Sequence, residues 1–246
     1  MLVVLCGCLS SRTTATEKTV LAPDQTHKHF FILSGQSNMT GQLKKGFAQK
    51  VVKHYGSGNA VIAHKNKNGR GIRFWDKDYV HPKNYKHPVK GKTPSKGSLA
   101  QHGQEYGPLL EAVQKAKGDQ SFTTVTFVWM QGESDAANIL GDVYAESFNR
   151  IMVRLKKDIG LKELNFVIAR ISDAGLGGNR DKSWKRVREV QVELAEDSEY
   201  GAWIDTDDLN GAKNDVHYPS EQYAPLGERL ADKAILLIAK RLNSVR

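Results

Sequence analysis

Cysteine is nearly absent. Of 246 residues only Cys6 and Cys8 carry a thiol, both within the first eight positions. A disulfide between residues two apart would be strained and would staple nothing, so no disulfide framework holds the fold. Long apolar runs are lacking too; nowhere does one approach the ~20 residues that a spanning helix needs. Metal-binding strings are missing. His27-Lys28-His29 is the only close histidine pair, and neither H-E-x-x-H nor a cysteine cluster accompanies it, so no metal and no cofactor are expected. The glycine-rich turn at 175–178 does not carry G-x-G-x-x-G after a first strand, which argues against a dinucleotide site. Met39 stands where the G-x-S-x-G of an α/β-hydrolase would need glycine.

What is present begins with an apolar start, MLVVLCGC, that lacks a basic stretch and is shorter than a usual signal core. Leu5-Cys6-Gly7-Cys8 resembles the bacterial lipoprotein signal box, with Cys8 as the lipidated residue. The Ser/Thr-rich residues after it suit a flexible tether. Residues 1–26 are therefore expected to be a leader and tether, and 27–246 one domain, exported to the periplasm or cell surface or secreted. A net charge of +9, from 36 Lys+Arg against 27 Asp+Glu, would attract anionic polymers or membrane surfaces. Residues 83–96 hold five lysines and no acid, which supports an alternative reading as a non-catalytic module binding carbohydrate or a polyanion. Such runs are more commonly solvated loops, and nucleic acid is not expected as a partner.

Along the chain, strands alternate with helices. Strands are expected at 29–33, 59–64, 123–130, 165–171 and 202–205, and helices at 106–118, 144–159, 184–196 and 220–242. Glycines at 41, 46, 56 and 58 leave room for only a short irregular helix around 47–53. Residues 65–105 have no sustained period and read as a long excursion, with Trp75 and Phe74 either stacking on a ligand or pinning the loop. The alternation predicts an α/β fold with a mainly parallel sheet covered on both faces.

Three polar clusters fall just beyond strand ends: Gly35-Gln36-Ser37-Asn38-Met39, Gln131-Gly132-Glu133-Ser134-Asp135 and Asn214-Asp215-Val216-His217-Tyr218. In a parallel sheet those ends converge on one rim, where such folds build their sites. Ser37 alone is either a nucleophile or a cap of the following helix.

The strings GQSNM, QGESD and the late D-x-H-Y, with VREVQ at 187–191, resemble the carbohydrate esterase branch of the SGNH (GDSL-like) hydrolases, the group that includes sialate O-acetylesterases and acetylxylan esterases. The resemblance spans about residues 28 to 240 and is poor over 65–105. It implies a three-layer α/β/α sandwich of flavodoxin-like type and a serine esterase that removes O-acetyl groups from carbohydrate. Ser37 would be the nucleophile and His217 its base. The backbone N–H groups of Ser37 and Gly107 and the amide of Gln131 would form the oxyanion hole. Gly107 also lies at the start of the Pro108 helix, where free N–H groups favour an anion. The wider family places an aspartate three residues before the histidine. Here Asn214 holds that position and Asp215 stands two before. Asp215 is the expected acid, with Asn214, Asp207 and Asp208 as alternatives. Gln36, Asn38, Glu133, Arg170 and Asn214, and further off Arg188 and Gln191, are site-lining candidates. Asp135 suits the cap of the next helix.

Overall fold

A computed structural model of the chain describes residues 21–83, 85–86 and 101–244. The lipoprotein box and most of the lysine-rich stretch, residues 84 and 87–96, lie outside the described residues. Among those described, no helix is long and apolar enough to cross a membrane.

Five strands form one sheet: β1 (His29–Gly35), β2 (Ala60–Asn66), β3 (Thr124–Met130), β4 (Asn165–Ala169) and β5 (Gly201–Ile204). Their order is β2-β1-β3-β4-β5 and every pairing is parallel, the parallel sheet that the alternation predicts in the flavodoxin-like order that the family resemblance implies. The chain moves to one side from β1 to β2, then crosses back to place β3 on the other side of β1. Such a reversal opens a crevice at the carboxyl ends of the two strands. The register sharpens it: Gly35 lies opposite both Asn66 and Met130, so three strand ends finish level.

Side chains of a strand alternate between faces, and the core divides accordingly. Phe30, Ile32, Phe127, Trp129, Phe166 and Ile168 pack on one face, while Phe31, Leu33, Val128, Met130, Val167 and Ala169 pack on the other. The first face is covered by α2 (Tyr106–Lys117), α4 (Tyr144–Asp158) and α5 (Asp181–Glu196). The second is covered by α1 (Gly41–Tyr55) and α6 (Tyr223–Ser244). A five-residue helix, α3 (Glu133–Ala137), follows β3 at the rim.

The sequence predicts a short irregular helix at 47–53, and the structure corrects this. α1 runs unbroken for 15 residues from Gly41. Its glycine at 46 serves close packing: a Cβ there would stand 2.2 Å from the Ala224 carbonyl oxygen, and one at Gly227 would stand 2.0 Å from that of Leu43. The two glycines let α1 and α6 touch backbone to backbone.

The excursion after β2 is pinned at several points. Trp75 meets Trp129 edge-on with ring centroids 5.2 Å apart. Asp76 accepts from Arg150 Nε and Nη2 at 2.9 and 2.7 Å. Both Phe74 and Trp75 are buried, so they secure the loop to the body.

Replacing Gly46 by alanine adds helix propensity, worth about 1 kcal/mol in isolation. We expect it instead to lower stability by about 1–3 kcal/mol, since the added carbon overpacks the α1–α6 contact. Urea denaturation of the variant checks this, and equal or greater stability would show that the helices part without cost.

Candidate active site

Ser37 lies in the loop between β1 and α1, and the helix cap is supplied by another residue. Thr40 is the N-cap of α1, its hydroxyl accepting from the Leu43 amide at 3.1 Å. The Ser37 hydroxyl, partly exposed, lies 2.9 Å from Nε2 of His217, 180 positions further along the chain.

The loop carrying His217 is anchored on both sides of the imidazole. Before it, the Val216 carbonyl accepts from Asn38 Nδ2 at 2.9 Å. After it, the buried Tyr218 hydroxyl donates to Thr206 Oγ1 at 2.8 Å, and that hydroxyl donates to the Arg170 carbonyl at 2.8 Å. His217 itself is exposed. Tyr218, Thr206 and Tyr223 are supports that motif reading overlooked. Only Tyr218 left a signal, as the last letter of D-x-H-Y.

Among the described residues no carboxylate hydrogen-bonds Nδ1 of His217. Asp215 is exposed, and its Oδ1 accepts from the adjacent Val216 amide at 2.6 Å. Asn214 adopts a left-handed backbone, φ 44°, and its Oδ1 accepts from Asn210 Nδ2 at 2.6 Å, so it shapes the turn. Asp207 is held by Arg188 and Arg170, and Asp208 by Arg229. Of the four acid candidates, only Asp215 is a carboxylate not already paired with an arginine.

The second cluster is buried. Gly132 opens α3 with φ 154°, where a Cβ would stand 2.8 Å from Gln191 Nε2 and 2.9 Å from Ile171 and Val187. This position needs glycine on both counts. Gln131, expected to point an amide at an oxyanion, has no exposed surface. Its Nε2 donates to Asp135 Oδ2 at 2.5 Å and faces Gln36 Oε1 and the Arg70 carbonyl, each at 3.2 Å. Three acceptors leave none of its N–H bonds for substrate. Gln36 also accepts from the Ser134 amide at 3.3 Å, tying the β1–α1 loop to α3. Asp135 does not cap: it lies within α3 and accepts from the Ile72 amide at 2.9 Å, fastening the excursion. Gln191 accepts from the Ile171 amide and donates to the Gln131 carbonyl, so it too is structural. Arg170 and Arg188 are spent on Asp205 and Asp207. A Cβ on Gly107 would meet only open space.

Glu133 is 3% exposed and accepts from Asn38 Nδ2 at 2.6 Å through Oε1, while Oε2 has no partner. Burial, with Asp135 nearby, pushes its carboxyl up to about 7, and burial pushes Asp135 up to about 6. A cleft of about 290 Å³ adjoins this cluster, lined by Arg70, Phe74, His81, Tyr85, Ser134 and Asn138. It connects to the β1–α1 loop through the Ser134–Gln36 bond and, by way of Gln131, through the Gln131–Arg70 and Gln131–Gln36 bonds. No group of three or more histidine, cysteine or carboxylate side chains is arranged to hold a metal among the described residues.

The family model for "carbohydrate esterase, sialic acid-specific acetylesterase" matches residues 46–236, well over half of the chain. The match includes Gly107, Gln131, Glu133 and His217 and begins beyond Ser37. Against curated proteins the sequence finds no match. Among solved structures, a protein from Arabidopsis thaliana superposes with a TM-score of 0.61 at 17% identity, over 87% of this chain and 98% of that one. A carbohydrate acetylesterase from Xanthomonas citri gives 0.55 at 16%, over 83% of this chain and 55% of that one. NanS gives 0.56 at 11%, over 90% of this chain and all of the other. At these identities the likeness shows the fold.

The Glu133 carboxyl titrates higher folded than its ordinary value of 4.5. The folded state therefore keeps the proton longer than the unfolded chain. Its contribution to stability is fully present below the unfolded value and is lost as pH rises through about 7. Relative to a Glu133→Gln variant, the natural protein should lose about 2 kcal/mol of stability between about pH 5 and about pH 7.5. Paired urea titrations at the two pH values check this; a constant gap between the proteins would refute it.

Proposed function

Because the chain belongs to the sialic acid-specific acetylesterase family of carbohydrate esterases, we propose that it is a serine esterase releasing O-acetyl groups from carbohydrate through an acyl-enzyme intermediate. The observation that carries the proposal is the 2.9 Å contact between Ser37 Oγ and His217 Nε2, made across 180 residues at the rim where β1 and β3 diverge. A hydroxyl and an imidazole at that distance have the geometry that a nucleophile and its base need.

In the proposed reaction Ser37 Oγ attacks the acetyl carbonyl carbon while Nε2 of His217 takes the hydroxyl proton. The negative charge gathers on the former carbonyl oxygen and is met by backbone N–H groups, that of Ser37 and that of Gly107 at the α2 N-terminus. The intermediate collapses, the sugar oxygen leaves with the proton from His217, and the acetyl group stays on Ser37. Water then attacks the acyl-enzyme with the same imidazole as base, releasing acetate and restoring the serine. Gln131 supports the loop in this scheme instead of binding the oxyanion. Asp215 is the proposed partner of His217 Nδ1, reached by a turn of its exposed carboxylate. The cleft beside Ser134, with an aromatic ring and guanidinium groups, suits the sugar body. Export beyond the cytoplasm fits such a substrate and rests on the sequence of residues 1–26.

Acetate release from p-nitrophenyl acetate tests the proposal. Ser37→Ala and His217→Ala should each lower kcat at least about 10³-fold, as loss of either member of such a pair does. Wild type no faster than these variants would sink the esterase reading and favour a binding module. Asp215→Asn should reduce kcat far more than Asn214→Ala in the same assay. The reverse order would move the orienting role to Asn214.

A further inference from the structure

Glu133 takes no step in the reaction just described, yet it is buried at the centre of the bonds that hold nucleophile and base together. Asn38 follows the nucleophile directly and Val216 precedes the base. One amide nitrogen, Asn38 Nδ2, donates both to Glu133 Oε1 at 2.6 Å and to the Val216 carbonyl at 2.9 Å. On its other side the Tyr223 hydroxyl, at the start of α6, donates to Asn38 Oδ1 at 2.9 Å. The amide is buried and all three of its directions are used.

Only one orientation of that amide serves all three partners. Turned over, its oxygen would face a carboxylate and a carbonyl, both acceptors, and its NH₂ would face the phenol. The Val216 carbonyl can only accept, and Glu133 Oε1 stands as a second acceptor on the same amide nitrogen, so together they disfavour the turned state and keep Nδ2 aimed at Val216. We infer that Glu133 is a positioning residue: through Asn38 it holds the Val216 backbone so that His217 stays within reach of Ser37. The inference rests on the serine esterase reading of that site. Displacing a reacting group by about 1 Å can cost ~10²-fold in rate, so a tie one peptide away from the base acts on turnover. Substrate binding, which uses other surfaces, is left in place.

The test uses the full chain and p-nitrophenyl acetate, with kcat and KM measured for Glu133→Ala, Asn38→Ala, the double variant and Glu133→Gln. The two alanine variants should each lower kcat by about 10- to 100-fold with KM within about twofold. The double variant should lose no more than either single one, because both remove the same tie. Glu133→Gln keeps an acceptor at Oε1 and should hold kcat within a few-fold of wild type, a rescue that loss of bulk packing would not give. Ser37 labelling by a fluorophosphonate should slow in parallel with kcat. Wild-type kcat in Glu133→Ala, losses that multiply in the double variant, or an effect on KM alone would each overturn the inference. If Glu133→Ala fails to fold, Tyr223→Phe decides, since it removes the third bond to Asn38: a several-fold drop in kcat supports the tie and an unchanged kcat overturns it. A Ser37→Ala protein with full activity would overturn the esterase reading itself. An inactive Ser37→Ala beside a fully active Glu133→Ala overturns the positioning role alone.

Discussion

A buried amide, that of Asn38, joins three parts of the chain that the fold brings together only at the rim of the sheet. It is bonded to α3 beyond β3, to the backbone before His217 and to the first residue of α6. Burial makes each of these bonds matter, because a polar group left unpaired away from water costs about 1–3 kcal/mol. The sheet supplies the level platform, with Gly35 opposite Asn66 and Met130. The amide then sets the distances above it. Without that platform the three segments would not meet, and without the amide they would meet loosely.

The same cluster sets a cost against stability. Two carboxyls, Glu133 and Asp135, are buried two positions apart in sequence and both resist ionising. A protein built for stability alone would put apolar side chains here. Asp135 fastens the excursion through the Ile72 amide, and Glu133 fixes Asn38. Each carboxylate thus replaces a missing backbone connection between segments that are distant in sequence, and a methyl group could not do that.

Much of this was legible in the sequence. The five strands were readable because each is a short run of β-formers, and GQSNM with QGESD, just beyond two of them, located the rim. His217 stood out as the histidine between the last strand and the last helix. What escaped has physical reasons. Gly41 and Gly46 look like helix breakers in one dimension, whereas Gly46 is a packing requirement set by Ala224, which lies 178 positions away. Gln131 was assigned an N–H for an oxyanion because the family implies it. Its burial against Asp135, Gln36 and Arg70 is a property of three dimensions. The supporting hydroxyls of Thr206 and Tyr223 carry no periodic or motif signal, since each is defined only by the group it meets, and Tyr218 shows only as the last letter of D-x-H-Y.

The division of labour between the two faces of the sheet has a consequence for how such a protein can change. Ser37 and His217 lie in the segments that lead into α1 and α6, two helices locked together by their glycines on one face. The cleft wall, with Phe74 and the pinned excursion, belongs to the opposite face. Insertions or exchanges within residues 65–105 can therefore remodel what the cleft admits without loosening the helix pair beside Ser37 and His217. A lineage built on this plan can reshape its cleft while the paired helices stand still.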